Sequence, residues 1–360
     1  MRLRRPPLPR SPLARLVLAL AALALVAGLL WWRGPSFRSI GDAFTAVKWQ
    51  WVVAAIALNL LSVVVRALAW RTVIRQAIPE PRPGAMLVFS AFSVGLFANA
   101  VLPGRIGELA RVAVLTRKLP RRRGLWATLV GTVFAHRVFD IVPVVLLVIY
   151  VLITAGIPGW ALGSLAAAIG IGTVLFAIGF VIARRHHHGQ TLDSLGPVRR
   201  ILTMARQGLA VLRTPLGAGI AVFFQICGWL CQLLAVYTAM RAFHIHSPLP
   251  AAGVVLLLMN VVTIFPFWPG NVGLVQVAIA SALTGYGVAY GNGIAYGFGL
   301  QAIEASVGIG VGLLFLAREG LSFAMLRVMP TADQADQTDP EEGGDEPEGL
   351  RRPERAPAPG

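Results

Sequence analysis

Two arginines and a glutamate stand directly behind a Pro-Gly break in Leu102-Pro103-Gly104-Arg105-Ile106-Gly107-Glu108-Leu109-Ala110-Arg111. Arg105, Glu108 and Arg111 follow one another at i, i+3, i+6. On a helix beginning near Ile106, Glu108 and Arg111 share a face and pair. Arg137 and Asp140 repeat the i, i+3 geometry. One acid beside several arginines leaves a net positive cavity, suited to recognition of a phosphate. The alternative is structural ion pairing that holds broken helices together, and the two readings are compatible. A charge at bilayer depth costs about 2.5–3.5 kcal/mol even on lenient insertion scales, so such residues are paired, wet or functional.

That argument requires the stretch to lie at membrane depth, and the composition supports this. The 360-residue chain is 56% hydrophobic and 13% charged, against roughly 25% charged in soluble domains. Its mean hydropathy is +0.70. These values predict an all-α polytopic membrane protein. The formal net charge is +16, yet residues 331–360 hold nine of the sixteen acids. The bases sit in short runs between apolar spans, which is the positive-inside pattern and an attraction for anionic lipid, so nucleic acid is not an expected partner.

The elements that would position the charges follow from the apolar runs. Residues 1–15 are a basic, cytoplasmic N-terminus, 16–327 the transmembrane domain, and 328–360 an acidic, Pro/Gly-rich tail expected to be disordered. Spans are predicted at 16–32, 51–70, 138–155, 160–183, 216–240 and 294–317. The first is read as an uncleaved anchor, with a signal peptide as its rival. Arg66 is expected to snorkel from near a helix end. The stretch 125–136 is read as an interfacial or partly inserted helix that ends before the span at 138.

Residues 85–102 are long enough to cross, but both flanks are basic, the following segment 105–123 carrying seven bases and one acid. The positive-inside rule places both flanks in the cytoplasm. A re-entrant hairpin turning at Asn99–Gly104 satisfies it, since broken backbone is tolerated at depth when buried in protein or lining a wet cavity. The loop 184–214, with six arginines and one acid, is cytoplasmic, and its 198–213 part has the apolar spacing of a surface helix. The chain thus has about 6–8 transmembrane helices with two re-entrant or broken ones.

The second break is Trp268-Pro269-Gly270-Asn271-Val272-Gly273, which shares the Pro-Gly-x-x-Gly frame of the first. No Lys, Arg, Asp or Glu lies between Arg241 and Glu304, so charge does not decide whether 251–290 crosses or folds back. Paired broken segments in corresponding halves point to a transporter site at the midplane, where new helix N-termini offer backbone N–H groups to anions. Two ordinary Pro-Gly loops are the plainer alternative. Gly293/Gly297 and Gly308/Gly312 form two small-xxx-small pairs that allow close helix approach. Glu304, within the last span, is a helix-packing partner or a coupling group. Cys227 and Cys231 are read as packed, reduced thiols, and the adjacent His186, His187 and His188 as solvated loop rather than a metal site. No metal or cofactor is expected.

At these residues the chain resembles the lysylphosphatidylglycerol synthase transmembrane region, or flippase-like, family, which includes the membrane half of the bacterial multiple peptide resistance factor. The resemblance covers roughly residues 15–325. It rests on Arg66, Trp70 and Arg71, on Pro103 through Arg111, on Arg137-Val138-Phe139-Asp140, and on Pro269 through Gly273. It implies a polytopic protein of the bacterial inner membrane, with both termini cytoplasmic, that moves or binds an anionic or aminoacylated lipid. Two positions depart from the family pattern. His136 stands where Glu usually precedes the Arg-x-x-Asp motif, and Gln276 where Glu usually follows the second break. A substrate without a cationic amino acid is therefore favoured, although His136 titrates near neutral pH in water.

The resulting expectation is a lipid translocase or lipid-binding transporter, not an enzyme. Its head-group site would comprise Gly104, Arg105, Glu108, Arg111, Arg137 and Asp140, facing Pro269, Gly270 and Gly273 of the second break. Glu304 and His136 are its coupling candidates. No Walker-type phosphate loop is present. A non-transporting scaffold for a partner synthase is the rival function, and self-association is left open.

Overall fold

The computed structural model describes residues 37–78, 80, 82–101, 106–120, 125–154, 215–263 and 271–318. The expected spans at 16–32 and 160–183, the loop 184–214 with its surface helix and three histidines, and the acidic tail lie outside those residues.

Nine α-helices and no strand occur among the described residues. A short helix α1 (Phe37–Thr45) precedes a pattern that runs twice. The first series is α2 (Trp49–Ala77, 29 residues), α3 (Ala85–Val101, 17), α4 (Gly107–Lys118, 12) and α5 (Leu125–Thr154, 30). The second is α6 (Pro215–Ala242, 28), α7 (Leu249–Val262, 14), α8 (Leu274–Thr284, 11) and α9 (Tyr290–Arg318, 29). Each series is a long helix, a two-armed hairpin and another long helix.

The two series run in opposite directions. The start of α2 meets the end of α6, where the Lys48 N–H donates to the Ala242 carbonyl at 3.0 Å and His244 Nε2 lies 2.8 Å from the Ala46 carbonyl. Such an inverted repeat is a common plan of secondary transporters.

Among the described residues four helices are long and apolar enough to cross a membrane: Trp49–Ala77, Leu125–Thr154, Leu216–Ala242 and Tyr290–Arg318. The arms α3, α4, α7 and α8 reach only roughly 25, 18, 21 and 16 Å at the helical rise, short of the ~30 Å hydrocarbon core. They pack as consecutive pairs, α3 on α4 and α7 on α8. The stretch 251–290, whose course charge left open, is therefore a hairpin, with Asn271 Nδ2 donating to the Val262 carbonyl at 2.8 Å to close its turn.

In the first hairpin, α3 and α4 touch at Gly95 and Gly107. A Cβ on Gly95 would lie 2.8 Å from the Gly107 carbonyl, and one on Gly107 would strike the Gly95 carbonyl and the Asn99 side chain. Asn99, still within α3, accepts the Gly107 N–H on Oδ1 at 2.8 Å.

Two expectations fail. α5 is continuous from Leu125 to Thr154 rather than an interfacial helix followed by a span. The charges at Arg137 and Asp140 do not interrupt it because partners on α4 and α6 satisfy them at depth. Pro143 removes one backbone hydrogen bond, and the helix continues through it, as membrane helices commonly do. Arg66 does not snorkel. Its guanidinium lies 5.0 Å from the centre of the Trp229 ring, inside the bundle.

Among the described residues, apolar burial forms two large cores, one around each hairpin, and a small third cluster of Val73, Ala135, Phe139 and Ala221. The first core gathers Trp70, Phe92, Leu115, Leu129 and Phe315; the second gathers Val151, Met240, Leu256, Ile279 and Tyr296. The helices α2, α5 and α9 contribute to both, and each changes core where its sequence turns polar, at Asn59–Arg66, His136–Asp140 and Glu304. The small-residue faces of α9 seat it on both hairpins. A Cβ on Gly293 would lie 2.8 Å from Ala280 of α8, and one on Gly312 would lie 2.8 Å from the Ser93 carbonyl of α3.

Candidate functional site

The polar layer between the two cores is the candidate site. Glu108 occupies the first turn of α4, the deep end of the first hairpin. Helical spacing brings Arg111 onto its face, and the two form an ion pair. Arg137 of α5 reaches across to Glu108 and pairs with it as well. Arg137 Nη1 also donates to Asp140 Oδ2 at 3.2 Å. The four charges thus form one cluster of two acids and two bases, in which neither acid stands alone. Arg105 and Gly104, expected beside it, lie outside the described residues.

The cluster is buried unevenly. Only 4% of the Arg111 side chain is exposed, against 53% for Arg137. The Arg111 guanidinium lies 4.6 Å from the Trp70 ring centre and 5.3 Å from that of Phe92, so two aromatic faces replace its water. Trp70 is fixed in turn, its Nε1–H donating to Thr132 Oγ1 at 3.2 Å.

Asp140 is held from the second series. Its Oδ1 accepts from Gln225 Nε2 at 2.8 Å and from Trp229 Nε1 at 2.9 Å, both on α6. The Gln225 amide also donates to the His136 carbonyl at 3.2 Å. On the same face of α6, Gln232 Nε2 donates to Glu304 Oε1 of α9 at 3.0 Å. Ser62 of α2 donates to the Gly228 carbonyl at 2.8 Å and lies 3.4 Å from Gln232 Oε1. Arg66 lies against this strip, where a Cβ on Gly228 would come within 2.7 Å of its Cγ. A polar ladder therefore runs through the bundle from Glu108 to Glu304.

Of the second break only Asn271, Val272 and Gly273 are described, and the hydrogen bonds of Gly273 and Gln276 lead to α9 rather than to the charged cluster. Gly273 is exposed, with a left-handed φ of 94° that favours glycine, and its N–H is taken by Gln276 Oε1 at 2.6 Å. Gln276 Nε2 then donates to Gln301 Oε1 of α9 at 2.6 Å. Gln301 is one turn from Glu304, so the second break joins the ladder at its far end. Pro269 and Gly270 lie outside the described residues. Both hairpins thus spend a helix-start N–H on a side-chain amide, Asn99 in one and Gln276 in the other. The reading of these N-termini as open anion sites fails at those two N–H groups.

His136 is 2% exposed, with its ring edge-to-face against Phe92 at 6.0 Å between centres. Its Nδ1 is buried without a hydrogen-bond partner among the described residues. Cys227 and Cys231 are free thiols. Among the described residues no three His, Cys, Asp or Glu side chains gather as a metal site.

The structure brings Glu108, Arg111, Arg137 and Asp140 into contact and sets Gln225, Trp229 and Gln232 beside them, three residues the expected site did not include. Their spacing of i, i+4, i+7 along an otherwise apolar span was the signal.

Residues 18–323 match the family described as the lysylphosphatidylglycerol synthase TM region. A UPF0104 membrane protein of Methanothermobacter thermautotrophicus is 25% identical over 286 residues, covering 73% of this chain and 81% of the relative. One from Pyrococcus horikoshii is 30% identical over 121 residues, 34% of this chain and 35% of the relative. A third, from Methanocaldococcus jannaschii, is 25% identical over 191 residues, 51% of this chain and 77% of the relative. No solved structure matches the chain.

Proposed function

Because the chain belongs to the lysylphosphatidylglycerol synthase transmembrane-region family of integral membrane proteins, we propose that it carries an anionic lipid head group between leaflets at the Glu108–Arg111–Arg137–Asp140 cluster. The observation that carries this reading is the uneven burial of the two arginines, with Arg111 sealed under aromatic rings and Arg137 half exposed. Arg111 holds Glu108 in place. The Arg137 guanidinium, planar and bidentate, exchanges a carboxylate for a phosphate with little change in geometry.

The inverted pair of hairpins supports alternating exposure of that site to the two sides. The ladder to Glu304 supports a second station for a polar group in transit, with Glu304 and His136 as proposed coupling groups. Neutral Gln276 and His136, where the family resemblance implies acids, favour a head group without a cationic amino acid. We place the protein in the bacterial inner membrane with both termini cytoplasmic, acting as a carrier rather than an enzyme.

The test is transbilayer movement of fluorescent phosphatidylglycerol in vesicles containing the purified full chain. Wild type accelerates movement, and Glu108→Ala or Arg137→Ala abolishes it while the protein still inserts and elutes as a single species. A wild type that moves no lipid overturns the proposal. If it instead retains a synthase through residues 331–360, the scaffold reading replaces it.

A further inference from the structure

A second basic site lies away from the ion-pair cluster, at the end of α2 and the start of α6. Leu68, Arg71, Thr72 and Arg75 occupy one face of α2 at i, i+3, i+4 and i+7, and with Arg82 they line a cavity of about 590 Å³. Its opposite wall is apolar, formed by Leu216, Ile220 and Phe224 of α6. Leu216 is 76% exposed and Ile220 40%, so that wall opens sideways towards the bilayer.

Among the described residues no buried ion pair engages these charges as one engages Glu108. Arg71 Nε is buried with no hydrogen-bond partner among the described residues. Arg82 approaches Glu80 at 3.4 Å, but Glu80 is 79% exposed, and such surface pairs contribute little. The cavity also lies where α2 and α6 reach the end of their spans, the depth of a phosphate rather than of an acyl chain. A rim of arginine over a laterally open apolar wall matches an amphiphile that carries a phosphate on hydrocarbon, and a soluble anion would leave the wall unused.

We propose that the α2/α6 groove binds one anionic phospholipid, with its phosphate on Arg71, Arg75 and Arg82 and its acyl chain along Leu68, Leu216, Ile220 and Phe224. The groove is a docking site distinct from the cluster around Glu108.

The purified full chain is titrated in detergent with phosphatidylglycerol and, separately, with phosphatidylcholine, and bound lipid is counted by native mass spectrometry. Wild type takes phosphatidylglycerol in preference. Removing Arg71 and Arg75 together as glutamines lowers that affinity by about fivefold for each arginine. Ile220→Trp, which keeps all three charges and fills the apolar wall, lowers it too, and it decides alone if the double variant does not fold. Millimolar inorganic phosphate leaves the lipid bound. Equal uptake of both lipids, unchanged binding in either variant, or displacement by inorganic phosphate overturns the proposal. Glu108→Ala retains this binding while losing transbilayer movement, so the two sites fail separately.

Discussion

The Trp229 indole is shared between two charges of opposite sign. Its face carries Arg66, whose guanidinium lies 5.0 Å from the ring centre, and its Nε1–H donates to Asp140 at 2.9 Å. The ring bridges a cation and an anion, and it ties α2 to α5 through α6. A tryptophan does both because its π-face is negative and its edge carries a donor.

Trp229→Phe keeps the aromatic face and removes the donor. Asp140 Oδ1 retains Gln225, so the expected loss is one hydrogen bond to a charged group, about 1.5–3 kcal/mol. Trp229→Ala also opens a cavity and should cost more, about 3–5 kcal/mol. Thermal unfolding of the detergent-solubilised protein should rank the variants in that order. Equal midpoints for wild type and Trp229→Phe would show that the Asp140 contact contributes nothing.

The ion-pair cluster should respond unequally to loss of its members. Glu108→Gln leaves the Arg111 guanidinium buried on its two aromatic rings with its ion-pair partner gone, and breaking a buried pair in this way costs about 3–5 kcal/mol. Arg137→Gln removes a half-exposed cation but leaves Glu108 paired with Arg111 and Asp140 bonded to Gln225 and Trp229, so a smaller loss of about 1.5–3 kcal/mol is expected. Adding Arg111→Met to Glu108→Gln removes the stranded charge and should restore much of the stability, while transbilayer lipid movement stays lost. Melting curves and the vesicle assay together separate the structural and functional parts of Glu108.

What was legible from residue order was what lies within one helix. Glu108 with Arg111, and Arg137 with Asp140, are one-turn neighbours, and the repeated Pro-Gly-x-x-Gly frame marked both hairpins. The pairing of Glu108 with Arg137 was not legible, because it depends on how deep α4 starts relative to α5. Arg66 was misread for a related reason. Its place late in an apolar run suggests a route to water, and only the position of α6 shows that an indole is closer. Gln225 and Gln232 escaped notice because two neutral amides barely alter the hydropathy of a long apolar helix, although their spacing puts them on the Trp229 face. Gln276 was read as a lost acid, whereas it has its own work in capping α8 and reaching α9.

That role of Gln276 makes a conservative substitution informative. In Gln276→Glu a protonated carboxyl keeps both bonds, its C=O accepting the Gly273 N–H and its O–H donating to Gln301 Oε1, whereas the ionised form is a buried charge without a counter-ion. Stability should therefore change by less than about 1 kcal/mol in acid, where the carboxyl is protonated, and fall by several kcal/mol as the pH rises. Gln276→Leu loses both bonds and strands the Gly273 N–H, so roughly 1–3 kcal/mol is expected. Comparing the two melting midpoints in acid checks the capping role, and a Glu variant as damaged there as the Leu variant would remove it.

The two glycines of the Gly308/Gly312 pair of α9 look alike in sequence but should not behave alike. A Cβ at Gly308 meets nothing closer than the Leu96 carbonyl at 4.0 Å, an ordinary contact distance. A Cβ at Gly312 would lie 2.8 Å from the Ser93 carbonyl and would also strike the side chain of Phe97. Backbone does not yield as a flexible side chain does, so Gly312→Ala must push α9 off the first hairpin. Alanine otherwise favours a helix over glycine by about 1 kcal/mol. Gly308→Ala should therefore be neutral or slightly stabilising, and Gly312→Ala destabilising by about 1–3 kcal/mol, the usual cost of overpacking. Because α9 also carries Glu304, the displacement in Gly312→Ala should slow transbilayer lipid movement, while Gly308→Ala leaves it at the wild-type rate. Thermal midpoints and the vesicle assay on the two variants test this, and equal behaviour of both would show that α9 is not seated on α3 through Gly312.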